Sequence, residues 1–311
     1  MLGKWMNNFY YGKSGKGDYT EDDLPANRWQ LFWETLRVRF SALMRLNLMY
    51  VVVWLPTMLV LLIAGVNLLS SLGVEEAELG MTLSELVQTV SVSTLLLLIP
   101  CIAITGPFTA GVCYVTRNWS RDEHAFIWSD FKDAVKENWK QSLVISLITS
   151  VIPMLVYICW NFYGQMAMQT PLMAIPQALI ALLGLVWFLS VTYFYPLIVG
   201  YKLRLRDVLR NGLLLAIARL PMSVGIRLLH CVPMLLGIGL MFFVNPLWCI
   251  LGLFAYYALI GYSLSRFITA SYTNAVFDRF INSRIAGAQV NRGLRADTDD
   301  DDDEEDGEDD A

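Results

Sequence analysis

The run Gly12-Lys13-Ser14-Gly15-Lys16-Gly17 contains the residue types that bind phosphate groups, because glycine-rich loops with a lysine and a serine can surround them. The full phosphate-loop pattern also needs an earlier glycine, and Asn7, Asn8 and Phe9 stand in that region instead. No apolar strand precedes the run either. We therefore interpret residues 1–26 as a flexible N-terminal tail rather than a nucleotide site.

The two histidines offer little acid–base or metal chemistry. His124 follows Asp122 and Glu123 in a polar segment and is expected to be solvated. His230 follows Arg227 by three residues at the end of an apolar run. An ionisable group in a membrane is a candidate functional residue, although a simple interfacial position also explains it. No His-x-x-x-His spacing and no Ser/His/Asp grouping occur, so we predict no catalytic residue, no metal, no cofactor and no enzymatic activity.

The composition indicates an all-α integral membrane protein. Hydrophobic residues make up 56% of the chain and charged residues 16%, whereas soluble domains are about a quarter charged. Five cysteines stand singly inside apolar runs and are expected to act as small hydrophobes. The charge-free runs 46–74, 86–116, 141–201 and 228–265 are long enough to cross about 30 Å of hydrocarbon. The two longest runs must each turn back once, which predicts six transmembrane helices in three hairpins: 47–70, 88–112, 141–161, 177–200, 224–244 and 247–266.

The positive charges are sorted along the chain. All 23 lysines and arginines lie before span one, between spans two and three, between or at the ends of spans four and five, or from the end of span six onward. The alternate connections contain none, and the first of them carries Glu75, Glu76, Glu78 and Glu85. By the positive-inside rule this predicts a plasma-membrane protein with both termini in the cytoplasm.

Four cytoplasmic segments have an amphipathic pattern. Trp128, Phe131, Val135 and Trp139 recur at three- and four-residue steps, which predicts an interfacial helix over 129–140. Residues 29–43, 202–221 and 267–285 are interpreted in the same way. Asn27 with Gln30, and Ser120 with Glu123, have the spacing of helix caps. Anionic lipid headgroups are the expected partner of these segments. The alternative is that the segments bind lipid and also form a docking surface for another protein. No nucleic-acid partner is expected.

Prolines recur in the spans, in Leu55-Pro56-Thr57, Ile152-Pro153-Met154 and Val232-Pro233-Met234. This pattern favours three copies of an interfacial helix plus a membrane hairpin, although prolines are common in membrane helices. Prolines can also break helices around a cavity. The candidate cavity-lining residues are Asn47, Asn67, Thr105, Thr109, Asn161, Tyr195 and His230.

The chain ends in an acidic run. Twelve of the 28 acidic residues fall within residues 297–310, and without them 16 acids remain against 23 bases. Like charges at this density cannot bury apolar surface, so we expect residues 286–311 to form a disordered tail after a membrane domain at 27–285. Such tails usually only keep a chain solvated, and contact with a basic partner or with the protein's own basic face is the alternative.

The stretch Phe32 to Pro56 (FWETLRVRFSALMRLNLMYVVVWLP) resembles the start of the YesL-like family of bacterial integral membrane proteins. The same resemblance extends to Gly106-Pro107-Phe108-Thr109-Ala110, Thr116-Arg117, Arg121-Asp122-Glu123, Asp130-Phe131 and Asn138-Trp139-Lys140-Gln141. The resemblance in sequence covers residues 15–157. In the second half of the chain only the general pattern of the family is similar. The family is a domain of unknown function whose members are typically found alongside carbohydrate ABC-transporter components in Gram-positive bacteria. The acidic tail departs from its usual pattern.

Two functions remain in view. The resemblance implies a non-enzymatic accessory or scaffold protein associated with carbohydrate ABC-type uptake. Its docking residues would be Arg117, Arg121, Asp122, Glu123, Trp128, Asp130, Phe131 and Trp139. The alternative is a small-solute transporter or channel with a site among proline-broken helices.

Overall fold

The computed structural model describes residues 24–71 and 80–295, and every regular element within those ranges is helical. The α-helices are α1 (Arg28–Ser71), α2 (Leu83–Trp119), α3 (Ile127–Gln169), α4 (Ala174–Gly200), α5 (Leu205–Ala218), α6 (Leu220–Leu240), α7 (Pro246–Tyr256) and α8 (Tyr262–Phe280). A π-turn at Tyr257–Gly261 joins α7 to α8, and 3-10 turns lie at Pro171–Met173 and Asn282–Arg284.

Six helical segments are long and apolar enough to cross a membrane, which confirms the predicted number of spans. In the most apolar window of the segment Leu83–Trp119 only 6% of the residues are buried within the chain. Exposed apolar surface of this extent is stable when lipid covers it, and a helix satisfies its own backbone groups there. The chain therefore has the character of a multi-pass membrane protein.

The amphipathic segments are mostly continuous with the spans. α1 and α3 run without a break from the segments predicted to be interfacial into the membrane, and α8 continues to Phe280. No glycine or proline interrupts these junctions, so the helices continue through them, and the interfacial position predicted for these segments stays a prediction. Residues 202–221 are different, because α5 ends at Ala218 and Pro221 lies in the first turn of α6, where proline is favoured.

The prolines do not break the helices. α1, α2, α3, α4 and α6 each continue through an internal proline, so the prediction of broken helices is corrected. The Asn245-Pro246 dipeptide does start a helix, because the Asn245 Oδ1 accepts a hydrogen bond from the Leu247 N–H at 2.9 Å. The main irregularity of the bundle is the π-turn, which contains no proline. Whether the threefold pattern is a true repeat stays a prediction.

α2 is the central helix of the bundle and packs most extensively on α3, with α1, α4 and α8 also against it. The contact with α3 is close because Gly106 has no side chain, and a Cβ there would collide with Ser142 and Ser146. The Ser146 hydroxyl donates across this contact to the Ala103 carbonyl at 2.6 Å. Small residues therefore set the spacing between α2 and α3.

The helix ends follow capping chemistry that was predicted only in part. The predicted cap at Asn27 is confirmed, because its Oδ1 accepts from the Gln30 N–H at 2.9 Å. Ser120 instead ends α2, where its hydroxyl donates to the Arg117 carbonyl, so the predicted helix start there is wrong. Thr82 and Glu85 form a complete capping box at the start of α2.

Candidate functional site

The base-carrying segments meet at one end of the bundle. The Arg295 N–H donates to the Pro25 carbonyl at 3.1 Å, and the Gln141 side chain donates to the Leu203 carbonyl at 2.9 Å. Asn274 on α8 donates to Ser120 after α2. We call residues 24–45, 117–141, 201–219 and 274–295 the basic end. Its existence matches the predicted sorting of bases, whereas the side of the membrane on which it lies stays a prediction.

Asp278 joins several segments of the basic end. Its carboxylate accepts from the Arg28 guanidinium at 2.6 Å, from the Asn282 amide at 2.6 Å and from the Asn291 N–H at 3.2 Å. Tyr201 donates to Asn282 at 2.7 Å, and burial raises the pKa of Tyr201 to about 12, so its hydroxyl stays protonated near neutral pH. The network ties α1, α8 and the chain after α4 together.

Residues 286–295 belong to this network. The Asn291 side chain accepts from Arg28 at 2.7 Å, and Arg292 forms an ion pair with Glu123 at 3.3 Å. Polar side chains in this segment therefore find partners on α1 and on the α2–α3 connection, and the tail boundary predicted at residue 286 stays a prediction. The acidic run from Asp297 and the tail at 1–23 lie outside the described residues.

We expect replacement of Asp278 by alanine to lower the free energy of unfolding by about 2 kcal/mol, since Arg28 and the Asn282 amide then lose a charged acceptor. Thermal unfolding of the full chain in a mild detergent measures this loss. Glu137→Ala is the control, because Glu137 is exposed on α3 at the same end. Equal stability of the two variants would contradict the role given to Asp278.

The predicted docking residues do not form one surface. Arg121 pairs with Glu123 at 3.1 Å in the α2–α3 connection, where Asp122 has a positive φ of 55°. The Arg117 side chain donates to Asn118 at 3.3 Å, and the Asp130 carboxylate accepts from the Phe126 N–H at 2.8 Å ahead of α3. These groups hold the turn between the two helices.

The aromatic members are divided between the interior and the surface. Phe131 is buried, and its ring lies where a Cβ on Gly111 would stand. Trp128 and Trp139 are exposed, and the Lys140 ammonium lies 5.6 Å from the centre of the Trp139 ring. Only part of the predicted amphipathic face is therefore available to lipid or to a partner.

An open groove of about 500 Å³ lies between α1 and the start of α3. It is lined by Arg39, Ala42, Arg45, Trp119, His124, Ala125, Phe126, Ile127, Trp128 and Ser129. We call these residues the aromatic groove. A smaller cavity of about 130 Å³ adjoins it through Arg39 and also includes Asp122. Trp128 and Asp122 are the predicted docking residues that line these two cavities.

The residues predicted to line a cavity are engaged elsewhere. Asn47 is buried and donates to the Tyr257 and Ala258 carbonyls at 2.9 and 2.8 Å, and its Oδ1 accepts from the Ser263 N–H at 2.8 Å. Thr109 bonds the Tyr50 hydroxyl at 2.6 Å, and Thr105 donates to its own helix.

Asn161 likewise donates to the Tyr157 carbonyl of its own helix at 2.9 Å, and the Asn67 carbonyl accepts from two serine hydroxyls in the last turn of α1. None of the candidate residues lines the two cavities above or the apolar cleft of about 360 Å³ between α3 and α4. Other residues line these three spaces, and a cavity lined by the candidate residues stays a prediction.

Tyr195 and His230 lie beside two arginines that the sequence prediction placed at span ends. The Arg266 guanidinium lies 5.8 Å from the centre of the Tyr195 ring, and Arg227 lies 4.4 Å from that of Phe188. His230 Nε2 is 3.4 Å from the Thr269 hydroxyl, one turn after Arg266 on α8. Both arginines fall within the candidate spans Leu220–Leu240 and Pro246–Arg284. Arg266, Thr269 and Thr273 are spaced so that they share one helix face. This spacing was the sequence signal that could have indicated an inward-facing polar group in the last span.

Six apolar helical segments and a basic end define the class as a multi-pass helical membrane protein. Residues 81–160 match the family model described as "Protein of unknown function, DUF624". The chain is also similar to the "Uncharacterized protein YesV" of Bacillus subtilis (strain 168), with 30% identity over 127 residues. That alignment covers 40% of this chain and 60% of the relative's length.

These two matches support a relationship to the DUF624 family, and the narrower YesL-like assignment stays a prediction. No solved structure matches the chain. The matched region 81–160 contains α2, the α2–α3 connection and most of α3, which includes the close helix contact at Gly106 and the α3 side of the aromatic groove.

Proposed function

We propose that the protein is a non-enzymatic membrane accessory protein that docks a component of a carbohydrate ABC transporter through its basic end. The aromatic groove is the observation that carries this proposal. It combines an exposed Phe126 and Trp128 with Arg39 and Arg45 on one surface. Aromatic side chains and arginine are the residue types most enriched at protein interfaces.

The surroundings of the groove suit a position at the membrane surface. Trp29, Trp33 and Phe40 are exposed on the same helix, and Arg37 lies among them. Aromatic rings favour the headgroup level of a bilayer, and each base near an anionic surface contributes about 1 kcal/mol of attraction. Lipid headgroups at the basic end would therefore orient the groove toward a membrane-embedded partner in the cytoplasmic leaflet.

The carbohydrate assignment depends on the resemblance in sequence to the YesL-like family. The accessory role has more support than the transporter alternative, because the residues predicted to line a pathway are held in helix contacts. A docking role needs a shaped surface at one end of the bundle, and the groove supplies one.

Co-purification tests the proposal. The full chain is expressed in its host and purified in a mild detergent with the carbohydrate ABC-transporter components, which are quantified by mass spectrometry. We expect the combined replacement of Trp128 by alanine and of Arg39 and Arg45 by glutamine to reduce the recovered transporter at least tenfold, since the anchor and both charges are lost.

The matched control is Trp248→Ala, because Trp248 is 68% exposed and Trp128 is 66% exposed. Trp248 lies at the start of α7, at the end of the bundle opposite the groove. Equal recovery from wild type and the groove variant, or recovery of no transporter component with wild type, would refute the docking role.

A further inference from the structure

We infer that the bundle contains a binding site for a phosphate oxyanion between α4, α6 and α8, with Arg227 and Arg266 as its cationic residues. The inference does not depend on the proposed docking function. It starts from two arginine side chains inside the spanning helices that have no carboxylate partner among residues 24–71 and 80–295.

The lack of a hydrogen-bond partner is clearer for Arg227 than for Arg266. Its Nε and Nη2 atoms are buried, and neither has a hydrogen-bond partner among residues 24–71 and 80–295. The Phe188 ring lies 4.4 Å from the guanidinium, but a ring face leaves the in-plane N–H donors unused. A buried donor without a partner costs about 1–3 kcal/mol, and more when it is charged.

No carboxylate of the described residues is paired with either arginine. At the basic end, Arg28 pairs with Asp278, and both Arg121 and Arg292 pair with Glu123. The sequence supplies no nearby acid either, since residues 208–277 contain no Asp and no Glu. Arginine cannot discharge by losing a proton in a protein, and no carboxylate of the described residues balances these charges.

The neighbouring groups are neutral hydrogen-bonding groups. Arg266 lies beside the Tyr50 hydroxyl, the Cys113 thiol and the Tyr195 ring. Tyr50 shares a hydrogen bond with Thr109, and Thr269 lies within 3.4 Å of His230. Thr109 and Thr269 already donate to the Thr105 and Ser265 carbonyls, so the Arg227 N–H groups are the donors left for an oxyanion here.

Thr192 supplies a third unpaired polar group. Residues 188, 192 and 195 are spaced so that they share one face of α4, and Phe188 and Tyr195 on that face contact Arg227 and Arg266. The Thr192 hydroxyl is buried and has no partner among the described residues. The orphaned hydroxyl therefore lies on the same face of α4 as the two rings that contact the arginines.

A phosphate group fits these donors best. The planar fork of arginine presents two parallel N–H groups that match two phosphate oxygens. The position of Arg227 in the second turn of α6 also puts the site within reach of the membrane surface. The phosphate could therefore belong to a free anion or to a lipid headgroup, and the experiment separates these two sources.

The first arm titrates inorganic phosphate into the full chain in a lipid-free, non-ionic detergent and records the unfolding temperature, with chloride at equal ionic strength as reference. The second arm compares the chain in nanodiscs of phosphatidylglycerol and of phosphatidylcholine and measures retained lipid by native mass spectrometry. A ligand that binds only the folded state raises its unfolding temperature. We expect stabilisation by phosphate, retention of phosphatidylglycerol, or both.

Arg227→Gln should weaken the response in the responding arm at least tenfold. The matched control is Arg206→Gln, which removes one exposed arginine of α5 and should leave the response unchanged. Without phosphate or anionic lipid, Arg227→Gln should be at least as stable as wild type, because one of two like charges is gone. If Arg227 had only a structural role, Arg227→Gln would instead be less stable than wild type.

Thr192→Val provides a second variant that removes an unpaired hydroxyl while nearly keeping the side-chain shape. It should unfold at the wild-type temperature or above in the absence of phosphate, and should bind phosphate more weakly. The inference is overturned if wild type responds in neither arm, or if Arg227→Gln retains the full response.

Discussion

Replacement of Gly106 by alanine should lower the free energy of unfolding by about 3 kcal/mol, the upper part of the range for overpacked contacts. The new Cβ would collide with the Ser142 carbonyl and the Ser146 side chain on α3. A backbone carbonyl cannot rotate away, so the two helices must separate. That separation also weakens the hydrogen bond from Ser146 to the Ala103 carbonyl. Thermal unfolding of the full chain in detergent measures the effect.

Gly225→Ala is the control for this prediction. Gly225 lies inside α6, and a Cβ there would meet nothing within 4 Å. Alanine is favoured over glycine inside a helix by about 1 kcal/mol, so this variant should be as stable as wild type or slightly more stable. If the Gly106 and Gly225 variants unfold alike, the close contact between α2 and α3 is not what limits stability.

Replacement of Asn47 by leucine should also lower the free energy of unfolding by about 3 kcal/mol. In the π-turn the hydrogen-bond ladder is shifted, and the Asn47 side chain bonds two carbonyls of the turn and the N–H of Ser263 just after it. A leucine of similar volume cannot replace these three hydrogen bonds, and each buried backbone group that is left unpaired costs about 1–3 kcal/mol before relaxation.

Asn161→Leu is the matched control, since Asn161 makes one hydrogen bond to a carbonyl of its own helix. A change below about 1 kcal/mol is expected, because a helix retains its backbone bonds without that side chain. The comparison is measured by the same unfolding assay. A larger loss of unfolding free energy in Asn161→Leu than in Asn47→Leu would contradict the structural role given to the contact between Asn47 and the π-turn.

The sequence predicted the spans well because charge and length act locally. Crossing a bilayer requires an uncharged run, and the gaps between Arg45 and Glu75 or between Lys140 and Lys202 can be read without knowledge of neighbours. Capping at Asn27 is local for the same reason, since its partner is three residues away. Ser120 has the same spacing but ends a helix, because an apolar helix of 37 residues already precedes it.

The interior contacts were not predictable in this way. Asn47 bonds groups 210 and more residues further along the chain, so its role depends on which helices become neighbours. Arg227 and Arg266 each stand next to apolar residues at the end of a charge-free run, where a base normally extends toward the headgroups. Their inward placement follows from the packing of α6 and α8 against the α4 face that carries Phe188 and Tyr195.

The placement of the basic end on the cytoplasmic side is the central claim, and cysteine labelling in intact cells tests it directly. Single cysteines are introduced into a variant whose five native cysteines are replaced by serine or alanine. Met168 and Phe243, which are 89% and 88% exposed, report on one end, and His124 and Lys202, both exposed, report on the basic end. We expect a membrane-impermeant maleimide to label the Met168→Cys and Phe243→Cys variants in intact cells, and to label His124→Cys and Lys202→Cys only after permeabilisation. Labelling of either basic-end variant in intact cells would contradict the account.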